Sequence, residues 1–154
     1  MNDSDRTWFA IRTAASAQRP VGKGDISHIE VSLARAGFDH YMPIEHREFR
    51  HHRTKKLIEK RLPLLPGYVL VADVIDWIAL CDCSGVAAVV GVAGRPLRIP
   101  ASDFNRLRQA EAEINELIRV DKQLRRLRRR ARKKWAWWKG QLTNFDFTYN
   151  LPEN

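Results

Sequence analysis

Apolar side chains recur at every second position in some stretches of the chain and at every third or fourth in others. The two spacings divide it into strands and helices. "TWFAIRT", residues 7–13, is aromatic and β-branched and reads as a first strand. After the Pro- and Gly-containing loop "AASAQRPVGKGD", Asp25 or Ser27 caps a helix that runs through Ala36. Ile26, Ile29, Leu33 and Ala36 form its stripe, and Gly37 stops it. "FDHYMPIEHREF" reads as a second strand, ended or bent near Pro43. The charged stretch "RHHRTKKLIEK" separates it from a strand beginning at Tyr68, which gives a long hairpin with a basic, mobile tip.

In "RLPLLPGYVLV" two prolines stand ahead of the most apolar strand. Proline fixes φ and lacks an N–H, so it suits a strand's entry and not a central ladder. Alternation puts Tyr68 and Leu70 on one face and Val69 and Val71 on the other. Both faces are apolar, so this is expected to be a central strand covered on each side; alternatively, Leu65 and Tyr68 border a groove that a partner fills. "DVIDWIALCDCSG" suits a short helix with Asp73 as cap and Gly85 as end. "VAAVVGVAG" and "RPLRIP" are extended and turn at Gly94. A helix opening at Pro100 carries Phe104, Leu107, Ala110, Ile114, Leu117 and Ile118, and its pattern continues through Val120, Leu124, Leu127 and Ala131. "WAWWKGQLTNFDFTYNLPEN" has no clear period and reads as irregular. The order β-α-β-β-α-β-β-α predicts an α/β sandwich: a small, mainly antiparallel sheet with flanking helices, plus a basic C-terminal helical extension.

Composition adds little until the charge is divided. The 154 residues, 44% hydrophobic, suffice for one domain with a core and an appendage. Residues 47–61 hold seven Lys/Arg against two Glu, and residues 119–139 hold eleven against one Asp. The remainder is net acidic, so the overall +9 sits on two local features, a footprint for polyanions. No apolar run approaches the ~20 residues that span a bilayer. The acidic, polar start "MNDSDRTWFA" is no secretory signal, so the cytoplasm is expected. Cys81 and Cys83 are then reduced and structural.

Candidate chemistry is correspondingly spare. No nucleophile triad, phosphate-cradling glycine loop or paired acids with a histidine cluster is present, so neither catalysis nor a cofactor is expected. His46, His51 and His52 lack partners at metal-ligand spacing and join Arg50, Arg53, Lys55 and Lys56 in a positive tip. Either that tip is a solvated loop or it meets nucleic acid. Trp8 and Trp77 read as core. In the tail, Arg125, Arg126, Arg128, Arg129, Arg130, Arg132, Lys133 and Lys134 cover all sides of a helix and suit phosphates. Trp135, Trp137 and Trp138 can stack on bases or rest on the protein's own surface. Membrane-surface binding is the competing reading, weakened because Leu124, Leu127 and Ala131 are the only apolar face there.

"WFAIRT", a helix ending in Gly37, "YMPIEHRE", the basic hairpin, "PLLPGYVLV", "DWIALCDCSGVAAVVGVAGRP" and "IPASDFNRL" follow the order of the NusG N-terminal domain, which the chain resembles over roughly residues 7–114. Residues 63–71 are most similar to the RfaH-type branch. The resemblance implies a factor that binds the clamp helices of the largest RNA polymerase subunit and modulates pausing or termination, in contact with DNA or nascent RNA, monomeric when free. By position, Leu65, Pro66, Gly67 and Tyr68 match the family's polymerase-binding turn, with Leu65 where Phe is usual. Ser84 stands where the family often has Arg near nucleic acid. Residues 1–118 are expected to form the NusG-type domain and residues 119–154 a basic, Trp-rich extension. Nothing in residues 120–154 resembles the family's second, barrel-shaped domain. Two other readings stay open: a stand-alone RNA- or DNA-binding module, and a competitor that blocks the host factor's site on polymerase.

Overall fold

The computed structural model describes residues 6–142, with side chains as far as Trp137. In chain order the elements are β1 (Trp8–Thr13), β2 (Val21–Gly22), α1 (His28–Arg35), β3 (His40–Tyr41), β4 (Ile44–Arg50), β5 (Leu57–Pro63) and β6 (Tyr68–Ala72). There follow α2 (Trp77–Cys81), β7 (Val86–Val89), β8 (Gly91–Val92), β9 (Arg95–Pro96), β10 (Arg98–Ile99) and α3 (Ala101–Leu142). A boundary between compact units falls within α3, between Glu116 and Leu117.

The first unit is organised around β1 and β6. The main sheet runs β10-β1-β6-β3, with β7 also beside β1, and every pairing is antiparallel. Alternation along both central strands sends side chains to two cores. Ile11, Val69 and Val71 meet Ile29 and Leu33 of α1 and Leu80 of α2 on one face. Trp8, Leu70 and Ala72 meet Phe104 of α3 on the other. There the Phe104 ring stacks on Trp8 at 4.3 Å, and Tyr41 meets Phe104 edge-on at 5.1 Å. The strand at Tyr68 is therefore central and covered on each side, as its two apolar faces require. Sheet, helices and the long C-terminal helix make an α/β sandwich of the expected class.

Local chemistry explains the helix ends. The backbone N–H of Ser27 and its hydroxyl both donate to the Glu30 carboxylate, at 2.7 and 2.9 Å, which closes the first turn of α1. Arg61 donates to the other oxygen of Glu30 at 3.1 Å, so this buried carboxylate keeps its charge compensated. Gly37, at φ +80°, ends the helix, and the Phe38 N–H returns to the Leu33 carbonyl. Ile26 precedes the cap and is exposed, as is Ala36, so the stripe of α1 is narrower than its spacing suggested. In α2 the cap is Asp76, whose carboxylate accepts from the Ile78 and Ala79 N–H groups. Asp73 is not the cap: at φ +49° it accepts from the Thr7 N–H instead. The helix stops at Cys81, before Gly85. Gly85 serves a different purpose, since at φ +97° a Cβ there would meet that of Ala17 at 2.7 Å.

The hairpin departs most from expectation. Residues 57–63, the first four of them in the charged stretch, form strand β5, and the hairpin pairs β4 with β5 and not with β6. Register runs from Ile44 opposite Pro63 to Arg50 opposite Leu57, and β2 adds a third strand. The bend at Pro43 separates β3, in the main sheet, from β4 in this smaller one. In the second unit, α3 continues as helix to Leu142 and takes in the Trp-bearing segment that reads as irregular in sequence. Residues 143–154 lie outside the described residues.

Candidate functional site

The candidate site begins with the turn ahead of β6. The Tyr68 N–H donates to the Leu65 carbonyl at 3.1 Å, and Gly67 has φ +86°. This is a turn with Pro66 at its first corner and glycine where positive φ is required. Gln18, buried in the loop after β1, holds it from behind. Its amide nitrogen donates to the Tyr68 carbonyl at 2.8 Å and, longer, to that of Leu65 at 3.4 Å. Its amide oxygen accepts from the Gly67 N–H at 2.5 Å. The Thr13 N–H donates to the Gly67 carbonyl at 2.8 Å. With its backbone groups satisfied inward, the turn presents Leu65 and Tyr68 outward, 37% and 43% exposed. Neither is core. They form a rigid apolar edge whose entropy cost of ordering has already been met.

The four basic residues of the hairpin come together at its end. The turn spans residues 51–56, closed by the His51 N–H to the Lys56 carbonyl at 2.8 Å, with Lys55 at φ +55°. Arg50 reaches the Lys55 carbonyl at 3.3 Å; Arg53, Lys55 and Lys56 are exposed. Phe49, Leu57 and Ile58 are exposed beside them, so the tip is both cationic and apolar. Its base is fixed by α3. The Asn115 side chain accepts from the His46 N–H at 3.0 Å and donates to the Ile44 carbonyl at 2.8 Å. Glu111 accepts from the Ile44 N–H at 2.8 Å and from the Tyr41 hydroxyl. Burial, then the hydrogen bond to Glu111, pushes the Tyr41 phenol above its ordinary range.

Gln18, Glu111 and Asn115 carry no mark as site residues in the sequence. Gln18 sits in an aperiodic loop. Glu111 and Asn115, however, interrupt the apolar face of Phe104 and Leu107 at helical spacing. Polar residues at core-facing positions are the signal that identifies such partners of a strand edge.

An open cleft of about 420 Å³ lies between α1 and the turn after α2, lined by His28, Ser32, Arg35, Asp82 and Ser84 among others. His28 and Ser84 share a hydrogen bond of 2.8 Å there. Cys81 is exposed and Cys83 buried, both free. Burial pushes the Cys83 thiol up, with the neighbouring Asp82 charge adding to it. Among the described residues no three His, Cys, Asp or Glu are grouped to hold a metal ion, and no helix is long and apolar enough to cross a membrane.

In the second unit, Arg125, Arg126, Arg128, Arg129, Arg130, Arg132, Lys133, Lys134, Trp135 and Trp137 are all exposed on α3. Trp138 falls in the helix, with its side chain outside the described residues. As one continuous helix, the segment does not carry its positive charge all round. At about 100° per residue, the basic side chains leave one longitudinal strip clear.

The antiparallel sheets with their flanking helices make a fold of the NusG N-terminal kind. The family model described as transcription termination factor nusG matches residues 6–108. The chain belongs to that family, whose members act in transcription. Among curated proteins none matches the chain.

Proposed function

We propose that the protein is a transcription elongation or antitermination factor that binds RNA polymerase through the edge at Leu65, Pro66, Gly67 and Tyr68. The observation that carries this reading is the stapled turn. Two large apolar side chains are exposed on a support made rigid by Gln18, at the end of a central strand. An amphipathic helix laid against such an edge is a known mode of recognition, and the clamp helices of the largest polymerase subunit are the partner that family membership suggests. The protein acts without catalysis or cofactor, as a monomer in the cytoplasm. Arg50, Arg53, Lys55 and Lys56 contact DNA beside the polymerase, and the basic residues and tryptophans of α3 contact DNA or nascent RNA.

The test is Tyr68→Ala. With 43% of Tyr68 exposed, the fold is expected to survive. Loss of a central contact costs about 2 kcal/mol or more, roughly 30-fold in affinity for polymerase. Pull-down with polymerase, in competition with a full-length NusG, reads the effect. A folded variant that binds normally refutes the assignment.

A further inference from the structure

The clear strip on the second unit's helix is apolar. Leu117, Val120, Leu124, Leu127 and Ala131 follow one another at alternating intervals of three and four residues, the spacing by which two helices pack side by side. On a helix they fall within an arc of about 80°. The four larger ones are 69%, 41%, 46% and 58% exposed. In heptad terms Glu116, Gln123 and Arg130 flank the strip on one side and Asp121 and Arg128 on the other, with Asp121 occupied by Arg125 of its own helix at 2.5 Å, so the cationic flanks are those of its C-terminal half.

Charge decides what can cover it. A second copy brings the same cations against these, ten net positive charges within residues 119–139 of each chain, and is repelled. Phosphates neutralise the charge but leave the leucines in water. A bilayer takes up leucines but needs a wider apolar face than about 80°. A helix with apolar residues at matching spacing and carboxylates on both flanks satisfies strip and flanks together. We propose that residues 117–131 form the docking face for an acidic amphipathic helix of a partner protein, paired with α3 as a two-stranded coiled coil. The nucleic-acid contacts then use the basic surface away from the strip, and polymerase binding at Tyr68 does not enter.

The experiment uses the full chain and two synthetic four-heptad peptides. One carries Leu at the strip-facing positions and Glu at both flanks; the other has Ser for Leu at the same charge. Calorimetric titration at 0.3 M salt is expected to show the Leu peptide binding at least about tenfold tighter. Leu124→Gln with Leu127→Gln, which keeps good helix formers, is expected to abolish that difference. Circular dichroism and affinity for a single-stranded RNA oligonucleotide are expected to stay unchanged. Equal binding of the two peptides overturns the proposal, since the tail is then only a polycation. So does an equal loss of RNA affinity in the double variant, which assigns the strip to nucleic acid. Sedimentation showing self-association of the chain alone overturns it in favour of a second copy.

Discussion

At the scale of single residues, the exposed edge depends on a side chain that does not belong to it. Gln18 satisfies Leu65, Gly67 and Tyr68 at once, from a position about fifty residues earlier in the chain. Gln18→Ala is expected to destabilise the first unit by about 1–3 kcal/mol, because buried turn groups lose their partners. Polymerase affinity is expected to fall as well, although residues 65–68 keep every side chain. Urea unfolding and the pull-down read the two effects separately. Tyr41 offers a test by pH. Its phenol is held above the ordinary value of 10.0 by burial and by Glu111, so the folded state favours the protonated form. Its contribution is complete below about pH 10 and lost as pH rises through the raised value. Alkaline titration of stability is expected to show this decline, and Tyr41→Phe to flatten it at a cost of about 1 kcal/mol. Leu65 and Tyr68 were legible as candidates because proline, glycine and an apolar strand mark the spot. Gln18 was not, since nothing in an aperiodic loop signals a partner so remote in sequence.

At the scale of elements, alternation and capping made most of the first unit readable: β1, β6 and α1 with its Ser27 cap and Gly37 stop. The strand β5 escaped because "LIEKRLP" is as charged as the loop before it. Its pairing with β4 is set by a partner and not by propensity, the usual weakness of β-preference as a guide. Opposite one another across that pair stand Glu48 and Glu59, and Arg47 and Lys60. Like charges so placed weaken a ladder. Lys23 offsets Glu59 at 3.4 Å and Glu45 offsets Arg47 at 2.8 Å, while Glu111 and Asn115 hold the hairpin at its base. Replacing Arg50, Arg53, Lys55 and Lys56 by Ser is expected to change stability by less than about 0.5 kcal/mol per substitution, because all four lie at or beside the exposed tip. Crosslinking to DNA in a transcription complex is expected to weaken. Unchanged crosslinking and unchanged pausing refute a role for the tip.

At the scale of the whole molecule, both cores lie before the unit boundary: every side chain in them precedes Glu116. A chain ending at Arg119 is therefore expected to fold and to bind polymerase. It should lose the salt-sensitive part of its nucleic-acid affinity, which falls with a log–log slope of about −0.7 per phosphate contact on single strands. Electrophoretic shift across a salt series measures this. Full affinity in the shortened chain removes the tail from that role. The class of fold was readable from the order of elements, and the reach of α3 as far as Ala131, whereas its continuation to Leu142 was not. Three tryptophans after a run of arginines give no apolar period, and only an unbroken backbone makes a helix of them.

The place of β1 in the main sheet also governs the order of events during synthesis. Trp8 emerges first, yet it pairs with Ala72 and Ile99 and stacks on Phe104. The β4–β5 hairpin is local and can close within microseconds of leaving the ribosome. The second core must wait for Phe104, about 5–20 s after Trp8 at ordinary elongation rates of about 5–20 residues per second. Once β6 has emerged it can pair with β1, but the face bearing Trp8 and Leu70 stays open to water until Phe104 follows. A nascent chain paused before β10 offers chaperones an apolar sheet surface, and one that has passed Glu116 has covered it.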